Sequence, residues 1–342
     1  MSYCLNPDCQ NPHNTNEVVY CLSCGSKLVL GQRYRAIQPI AQGGFGRTFL
    51  AVDEYKPSKA LCVIKQFFPV DLGTKNTQKA SELFRQEAVR LDELGKHSQI
   101  PELLAYFTQD KYQYLVQEFI DGQNLAQELA ESGAFTEDKI RQLLNDLLPV
   151  LEFVHDQQVI HRDIKPENII RCRTNNQLFL VDFGASKLVG GNVITRKGTI
   201  IGSPGYTSPE QYIGEATFAS DFYSLGVTCI HLLTQVDPFD LFDSRENRWI
   251  WRNHLLNPIS HQLSEVLDRL LEPVISQRYQ SGVAVLGDLE EQATSITVLS
   301  PVRPVVFAWL EENQLSQIQW QENSTQGVEQ STDRIDWRDI ER

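Results

Sequence analysis

The sequence is poor in positive charge and contains no long apolar run. Its 342 residues include 31 Lys and Arg against 44 Asp and Glu, so the net charge is −13 and the pI is about 5.0. Nucleic acid is not expected as a main partner, because phosphate backbones select basic surfaces. The chain has neither a recognisable N-terminal signal peptide nor an apolar run of about 18 residues, so we expect no direct membrane insertion and a cytoplasmic location.

Cysteine is also scarce, except at the N-terminus. Four of the seven cysteines lie within the first 24 residues, as Cys4 and Cys9 followed by Cys21 and Cys24. Two short knuckles of this kind are typical of a structural zinc ribbon, in which four thiolates complete a tetrahedron. His13 could replace one of the thiolates. A redox-active thiol set and unligated cysteines are the alternatives, and disulfides are disfavoured in a reducing compartment.

The most specific pattern in the chain is the run HRDIKPEN at residues 161–168, here called the catalytic loop. Asp163 and Asn168 stand five residues apart, and Asp182 follows a short apolar stretch that is typical of a strand. Such a set can hold Mg²⁺ on a nucleoside triphosphate while a third group orients the attacking hydroxyl. The run resembles the catalytic loop of the protein kinases, and the Asp-Phe-Gly at residues 182–184 resembles their metal-binding signature.

A glycine-rich segment lies upstream, where the protein kinases carry a loop that covers the phosphates. Glycine allows backbone N–H groups to approach phosphate oxygens and permits positive φ. Gly43 and Gly46 retain this ability, whereas Ala41 replaces the family's first glycine, so we expect altered nucleotide affinity without loss of binding. The resemblance implies a nucleotide loop, residues 40–48, made of Ile40, Ala41, Gln42, Gly43, Gly44, Phe45, Gly46, Arg47 and Thr48.

The next segments supply a lysine and its counter-charge. Lys65 ends an apolar run that resembles the family's strand with a phosphate-binding lysine. Glu87 lies one step from an apolar stripe with helical spacing and is the best candidate for the partner of Lys65. Glu82 and Glu93 are the competing choices.

The resemblance extends beyond these motifs. Gln117 would lie at the back of the adenine pocket, and backbone atoms from Glu118 to Ile120 would bind the edge of the base. Further on, Glu210 and Arg278 should form a buried ion pair that stabilises the second lobe.

These observations predict an α+β protein with the two-lobed protein kinase fold, made of a small β-rich lobe and a large helical lobe. A zinc-ribbon-like module should precede it. We expect the module at residues 1–30, the catalytic domain at residues 34–290, and a flexible acidic and polar tail at residues 293–342. The module or the tail could dock a partner.

The whole pattern resembles bacterial, eukaryotic-like serine/threonine protein kinases with a four-cysteine N-terminal segment. The resemblance implies transfer of the γ-phosphoryl group of ATP to protein substrates, with Mg or Mn, and signalling through autophosphorylation. Asp163 would act on the hydroxyl, and Lys165 would meet the γ-phosphate as in the serine/threonine branch. The implied metal ligands are Asn168 and Asp182.

Two other functions compete with this interpretation. A pseudokinase could act as a binding scaffold through the cysteine module and tail, but the sequence retains every residue of the catalytic set. A small-molecule phosphotransferase of related fold is disfavoured by the segment between Asp182 and Glu210, which has the length of a peptide-docking loop.

The same segment predicts regulation. Arg162 precedes the catalytic aspartate, and protein kinases with this arginine often leave it unpaired until a phosphate arrives. Thr199 occupies the place where the family commonly carries its activating phosphothreonine, and Thr195 is the second candidate. A phosphate there would bring nearly two negative charges to Arg162 and order the loop.

Overall fold

The computed structural model describes residues 1–43, 46–68, 74–188 and 202–290. The described residues belong to one compact unit. Four candidate residues, Gly44, Phe45, Thr195 and Thr199, and the expected tail at residues 293–342 lie outside these ranges.

Six strands precede the first α-helix, and further strands and helices follow it. The strands are β1 (Ser2–Tyr3), β2 (His13–Asn14), β3 (Val29–Leu30), β4 (Tyr34–Gly43), β5 (Gly46–Asp53), β6 (Leu61–Phe67), β7 (Leu103–Gln109), β8 (Tyr112–Glu118), β9 (Gly122–Asn124), β10 (Val159–Ile160), β11 (Ile169–Cys172), β12 (Leu178–Leu180), β13 (Lys187–Leu188), β14 (Phe242–Asp243) and β15 (Arg248–Trp249). The α-helices are α1 (Thr74–Leu94), α2 (Leu125–Ser132), α3 (Glu137–Asp156), α4 (Pro209–Tyr212), α5 (Phe218–Thr234), α6 (His261–Leu270) and α7 (Gly282–Glu290), and 3-10 helices cover Pro166–Asn168, Phe183–Ala185 and Trp251–His254.

The smaller lobe is an antiparallel sheet of six strands in the order β3-β4-β5-β6-β8-β7. Side chains alternate between its two faces along each strand, as the pleat requires. Cys62 and Ile64 of β6 are buried in one apolar cluster with Phe49 of β5. Lys65 lies between Ile64 and Gln66, so its side chain projects from the other face. The same alternation decides which side chains of β5 and β6 can reach the cleft.

Helix α1 covers that other face. Ala88, Leu91 and Leu94 follow one another at helical spacing and are buried in the main apolar cluster. Glu87 precedes Ala88 and is also buried, with an exposed fraction of 4%. A buried carboxylate needs a cationic partner, so this helix delivers one end of an ion pair into the cleft.

The larger lobe is helical and contains most of the main apolar cluster. Nearly every residue of α5 is buried, so the rest of the lobe encloses this helix on all sides. Helix α3 begins at Glu137 because the Thr136 side chain caps it, accepting a hydrogen bond from the Lys139 backbone N–H. Among the described residues, no helix is long and apolar enough to cross a membrane.

The predicted buried ion pair of this lobe is confirmed. Arg278 Nη1 lies 2.7 Å from Glu210 Oε1, and the side chains are 0% and 5% exposed. Arg278 also donates to the backbone carbonyls of Ala219, Glu272 and Pro273. The guanidinium therefore joins the segment that follows α6 to the start of α5.

Residues 1–30, here called the prefix, pack directly on the smaller lobe. Strand β3 is the edge strand of the six-stranded sheet, and β1 pairs with β2 beside it. Leu5 is 5% exposed and belongs to the same apolar cluster as Phe49 and Ala36. The boundary near residue 30 therefore does not divide two separate cores.

Candidate active site

The catalytic loop is held in shape by one buried carboxylate. Asp221 is fully buried at the start of α5 and accepts hydrogen bonds from the backbone N–H groups of His161 (2.9 Å) and Arg162 (2.8 Å). Arg162 has a φ of 68°, a left-handed conformation that is costly for a residue with a side chain. Asp221 offsets this strain, because its two oxygens match the two adjacent N–H groups.

Asp163 is oriented by Asn168, as their five-residue spacing suggests. Asn168 Nδ2 donates to Asp163 Oδ2 at 2.9 Å and to the Asp163 backbone carbonyl at 2.8 Å. Lys165 Nζ lies 3.5 Å from the same carboxylate oxygen. Asp163 Oδ1 is buried and has no hydrogen-bond partner among the described residues. One oxygen is thus fixed, while the other remains available to accept a proton or a hydrogen bond.

Lys165 also has a contact outside the catalytic loop. Its Nζ donates to Ser203 Oγ at 2.5 Å, and Ser203 belongs to the segment that leads into α4. The sequence analysis placed Ser203 in a peptide-docking element but missed this contact. The lysine therefore links Asp163 to the segment where a protein substrate would lie.

Lys65, Glu87 and Asp182 meet across the two lobes. Lys65 Nζ lies 2.5 Å from Glu87 Oε1 and 3.1 Å from Asp182 Oδ1. Burial alone would lower the pKa of Lys65, but the charges of Asp182 and Glu87 outweigh it and raise that pKa. The charge of Lys65 in turn lowers the pKa of Asp182. Burial raises the pKa of Glu87, against the opposing charge of Lys65. The competing Glu82 pairs with Arg85, and Glu93 pairs with Arg90.

The backbone at Asp182 also adopts a left-handed conformation, which is costly for a residue with a side chain. Asp182 has a φ of 67°, and its side chain accepts a hydrogen bond from the Gly184 backbone N–H. Its side chain is 48% exposed, although it touches Lys65. A Cβ on Gly184 would lie 3.1 Å from Glu87 Oε2. Glycine at this position lets Asp182 face the cleft while Glu87 passes close behind it.

The nucleotide loop is described only at its two ends. Strands β4 and β5 pair from Ala41 and Thr48 to Gly43 and Gly46, so the two ends of the nucleotide loop lie side by side. A Cβ on Gly46 would lie 2.5 Å from the backbone oxygen of Gln66. Close contact with the neighbouring strand therefore requires glycine at position 46, a reason that the sequence analysis did not give.

Arg47 occupies the opposite face of the sheet from Lys65. Its guanidinium donates from Nη2 to Gln66 Oε1 and to the backbone oxygen of Leu5, both at 2.6 Å. The side chain of Arg47 therefore points away from the cleft, although its backbone belongs to the nucleotide loop, and its part in nucleotide binding stays a prediction. Alternation along β5 explains the difference, since Thr48 pairs with Lys65 and Arg47 pairs with Gln66.

The expected hinge lies at the end of β8. Gln117 is buried, with 6% of its surface exposed, and its Oε1 has no hydrogen-bond partner among the described residues. The Glu118 backbone N–H donates to the Glu102 carbonyl at 2.9 Å. Ile120 follows and is also buried. The role of these residues in binding the base stays a prediction.

Arg162 is already engaged, unlike the unpaired arginine that the sequence analysis expected. Its Nε donates to the Ala185 carbonyl at 2.5 Å, and its Nη2 donates to the Ser186 carbonyl at 3.2 Å. Burial lowers the pKa of Arg162 to about 10, so the group is still charged at neutral pH. A phosphate would have to compete with two carbonyl groups for this guanidinium.

The four N-terminal cysteines form one cluster. Cys4 Sγ lies 3.5 Å from Cys24 Sγ, Cys9 Sγ lies 3.6 Å from Cys21 Sγ, and all four sulfur atoms lie within 4.8 Å of one another. All four are free thiols. His13 is exposed and packs edge-on against Tyr3, with ring centroids 5.2 Å apart. The expectation that His13 could replace a thiolate is therefore wrong.

Comparison with known proteins agrees with this geometry. A model of the protein kinase domain matches residues 34–285. Serine/threonine-protein kinases B and F of Synechocystis sp. are 40% and 41% identical to the chain over 299 and 301 residues, which cover 85% and 83% of this chain and 52% and 60% of those proteins. Serine/threonine-protein kinase PknA of Nostoc sp. is 40% identical over 269 residues, covering 77% of this chain and 48% of that protein.

The chain spans about half the length of these curated relatives. The matched domain covers most of the described residues and includes both lobes of the cleft. The predicted fold is confirmed, and ATP with Mg or Mn is the cofactor set that protein kinases use. The chain therefore belongs to the protein kinase family.

Proposed function

We propose that the chain is an active serine/threonine protein kinase that transfers the γ-phosphoryl group of ATP to protein hydroxyl groups. One observation carries the proposal: Lys65 Nζ lies between Glu87 Oε1 at 2.5 Å and Asp182 Oδ1 at 3.1 Å. Glu87 comes from the smaller lobe and Asp182 from the larger one. An ion triad across both lobes holds them together in a closed, catalytically competent arrangement.

The residues divide the work as follows. Lys65 would hold the α- and β-phosphates, and Asn168 and Asp182 would hold Mg or Mn. When bound, Mg-ATP supplies the phosphoryl group and the metal neutralises its charge. Asp163 would accept or orient the proton of the substrate hydroxyl through Oδ1, the atom without a partner among the described residues. Lys165 would stabilise the transferred group.

The choice of serine/threonine over tyrosine rests on Lys165. It stands two residues after Asp163 and binds Ser203 Oγ at 2.5 Å, so it fills the space beside the catalytic carboxylate. The relatives named above are serine/threonine kinases, which supports the same choice. A scaffold without catalysis would have no need to retain the Lys65, Glu87 and Asp182 contacts.

The proposal is tested by incubating the chain with labelled ATP and Mg²⁺ and mapping the phosphorylated sites. We expect phosphate on serine and threonine, and none with Lys65→Met. Nucleotide binding with no phosphotransfer to itself or to a generic protein substrate would favour the scaffold instead. Phosphate on tyrosine alone would exclude the serine/threonine assignment.

We further propose that the prefix binds one zinc ion through Cys4, Cys9, Cys21 and Cys24. A tetrahedral site with Zn–S bonds of about 2.3 Å requires sulfur–sulfur separations of about 3.8 Å. The two short separations, 3.5 and 3.6 Å, are close to this value. A disulfide would need about 2.05 Å, so the four sulfur atoms suit a metal ion better than two bridges. Elemental analysis of the purified protein tests this directly.

A further inference from the structure

One backbone oxygen of the prefix is bound by two side chains of the sheet. The carbonyl of Leu5 accepts a hydrogen bond from Arg47 Nη2 at 2.6 Å and another from Gln66 Nε2 at 3.0 Å. Gln66 is fully buried, and Arg47 also donates twice to Gln66 Oε1, at 2.6 and 3.2 Å. We call this group of three residues the Leu5 clamp.

The clamp is attached to the cysteine cluster on one side. Leu5 directly follows Cys4, which is 1% exposed and belongs to the cluster of four thiols. The Leu5 side chain is buried in the core of the sheet, while its carbonyl lies in the clamp. The position of Leu5 is thus fixed at three points: by the cluster, by apolar packing and by two hydrogen bonds.

The clamp is attached to the nucleotide site on the other side. Arg47 follows Gly46 in the nucleotide loop, and Gln66 follows Lys65. The backbone of Gln66 also supports the base of the loop, because its oxygen would lie only 2.5 Å from a Cβ on Gly46. A shift of the clamp would therefore move both the base of the loop and the strand that carries Lys65.

The packing of Arg47 indicates that the clamp is rigid. Its guanidinium carbon lies 5.3 Å from the ring centroids of both Phe49 and Phe68, in addition to its hydrogen bonds. Gln66 is held from a further direction by Tyr114, whose hydroxyl accepts from Nε2 at 3.2 Å. Rigid support on the back of a sheet can fix the geometry of its front. This is because a close-packed sheet transmits small displacements from one face to the other.

We propose that Arg47 and Gln66 are positioning residues of the nucleotide site. They bind the Leu5 carbonyl on the back of the sheet, so the prefix fixes the base of the nucleotide loop and the Lys65 strand. The docked prefix thereby sets the affinity for ATP. The inference rests on the proposed kinase function, but it concerns residues whose side chains do not face the cleft.

A matched control comes from another arginine that binds the prefix. Arg35 Nη1 donates to the Val18 carbonyl at 2.9 Å and to Ser2 Oγ at 3.3 Å. Arg35 is buried, whereas Arg47 is half-buried, and in the sheet Arg35 pairs with Val52, far along β5 from Gly46. Loss of Arg35 weakens the attachment of the prefix without touching the clamp.

The test compares Arg47→Met, Gln66→Met and Arg35→Met with the unmodified chain. The Kd for a non-hydrolysable ATP analogue with Mg²⁺ is measured by calorimetry, KM for ATP and kcat are measured on a generic protein substrate, and thermal unfolding is followed in parallel. We expect Kd and KM to rise about five- to tenfold in the two clamp variants, because lost positioning weakens binding without removing a reacting group. For Arg35→Met we expect a change within about twofold at a similar loss of Tm.

Arg47→Lys provides the rescue. A lysine at this position can still donate to the Leu5 carbonyl from the same face, so its Kd should lie between those of Arg47→Met and the unmodified chain. It also keeps the test decisive if Arg47→Met does not fold.

Clamp variants that fold and bind the analogue as tightly as the unmodified chain would overturn the inference and leave the kinase proposal intact. An equal loss of affinity in Arg35→Met would also overturn it, because the effect would then reflect general detachment of the prefix. If the unmodified chain binds no nucleotide, the kinase proposal itself fails.

Discussion

The two walls of the cleft are supported in different ways. The catalytic loop in the larger lobe is held from inside the fold, by Asp221 on its backbone and by Asn168 on Asp163. The nucleotide loop in the smaller lobe is supported from outside, by a prefix whose Leu5 carbonyl is bound by Arg47 and Gln66.

This difference has a physical origin. A helical lobe with a large core can bury carboxylates and pair them with backbone N–H groups, as Asp221 does at 0% exposure. A single sheet has one face on α1 and would leave its other face to solvent. The prefix covers that face, so the wall that carries Lys65 depends on residues far from any kinase motif.

The largest effect expected on the internally supported wall follows from Asp163→Asn. Phosphotransfer should fall by about 10²- to 10⁴-fold, because the amide cannot accept a proton from the substrate hydroxyl. Nucleotide binding and Tm should stay nearly unchanged, since Asn168 and Lys165 remain in place. Kinetic assays and calorimetry on the same preparation check both points.

Asp156→Asn is the control, because Asp156 is exposed at the end of α3, outside the cleft. It should behave as the unmodified chain. A turnover rate for Asp163→Asn close to that of the control would show that the catalytic assignment is wrong.

The second effect tests the stability of the same lobe. Glu210→Gln should lower the free energy of unfolding by about 3–5 kcal/mol, because it leaves the buried guanidinium of Arg278 without a counter-charge. Chemical denaturation measures the change. Asp121→Asn breaks an ion pair with Arg173 whose side chains are 55% and 72% exposed, and it should cost less than about 1 kcal/mol.

The Glu210 pair also has a pH signature. Burial alone would raise the pKa of Glu210, but the hydrogen bonds from Arg278 and Ser220 together with the charge of Arg278 outweigh it and lower that pKa. A carboxylate with a lower pKa in the folded chain stabilises it above its ordinary pKa and loses this contribution as the pH falls toward the lowered value. The stability difference between Glu210→Gln and the unmodified chain should therefore shrink on acidification. A difference that is constant from neutral to acidic pH would contradict this assignment.

The internally supported wall was the easier one to predict from sequence. Asp163, Asn168 and Asp182 lie in short motifs that resemble those of the protein kinases, and this resemblance implies how they meet. Their contacts require only local backbone geometry plus one carboxylate from α5. Glu87 was selected correctly as the partner of Lys65 because helical spacing placed it beside a buried stripe.

The externally supported wall was harder. No local pattern indicates that Leu5 enters the core of the sheet. Its hydrogen bond to Arg47, for example, joins residues that are 42 positions apart in the sequence. The side-chain direction of Arg47 could have been predicted, because alternate residues of β5 face opposite sides. The reason for glycine at position 46 depends on a neighbouring strand and is not visible in the loop itself.

The third effect concerns the external support. Preparations should contain about one zinc per chain, and the double substitution Cys21→Ser with Cys24→Ser should remove it. Because Leu5 belongs to the core of the smaller lobe, we also expect the Tm to fall, which a detached module would not cause. Elemental analysis and thermal unfolding measure the two outcomes. Cys172→Ala, a free thiol outside the cluster, should keep its zinc.

Absence of zinc in the unmodified chain, purified under reducing conditions, would favour a redox role for the four thiols. Loss of zinc without any change in Tm would contradict the continuous core and restore the expectation of an independent module at residues 1–30.

The smallest effect expected concerns Thr199, the candidate regulatory residue. Thr199 is outside the described residues, but its proposed partner Arg162 is described, and that guanidinium already donates to the carbonyls of Ala185 and Ser186. A phosphate on Thr199 would gain charge-assisted hydrogen bonds from Arg162 and lose part of these contacts, so the net gain is moderate. We therefore expect Thr199→Ala to lower kcat by roughly three- to tenfold while Kd for the ATP analogue stays unchanged. Thr195→Ala tests the second candidate, and it should leave kcat unchanged if Thr199 is the regulatory site. Mass spectrometry of the active enzyme should find phosphate on Thr199. If both threonines are unmodified and Thr199→Ala is as fast as the unmodified chain, Arg162 serves only to hold the backbone that follows Asp182.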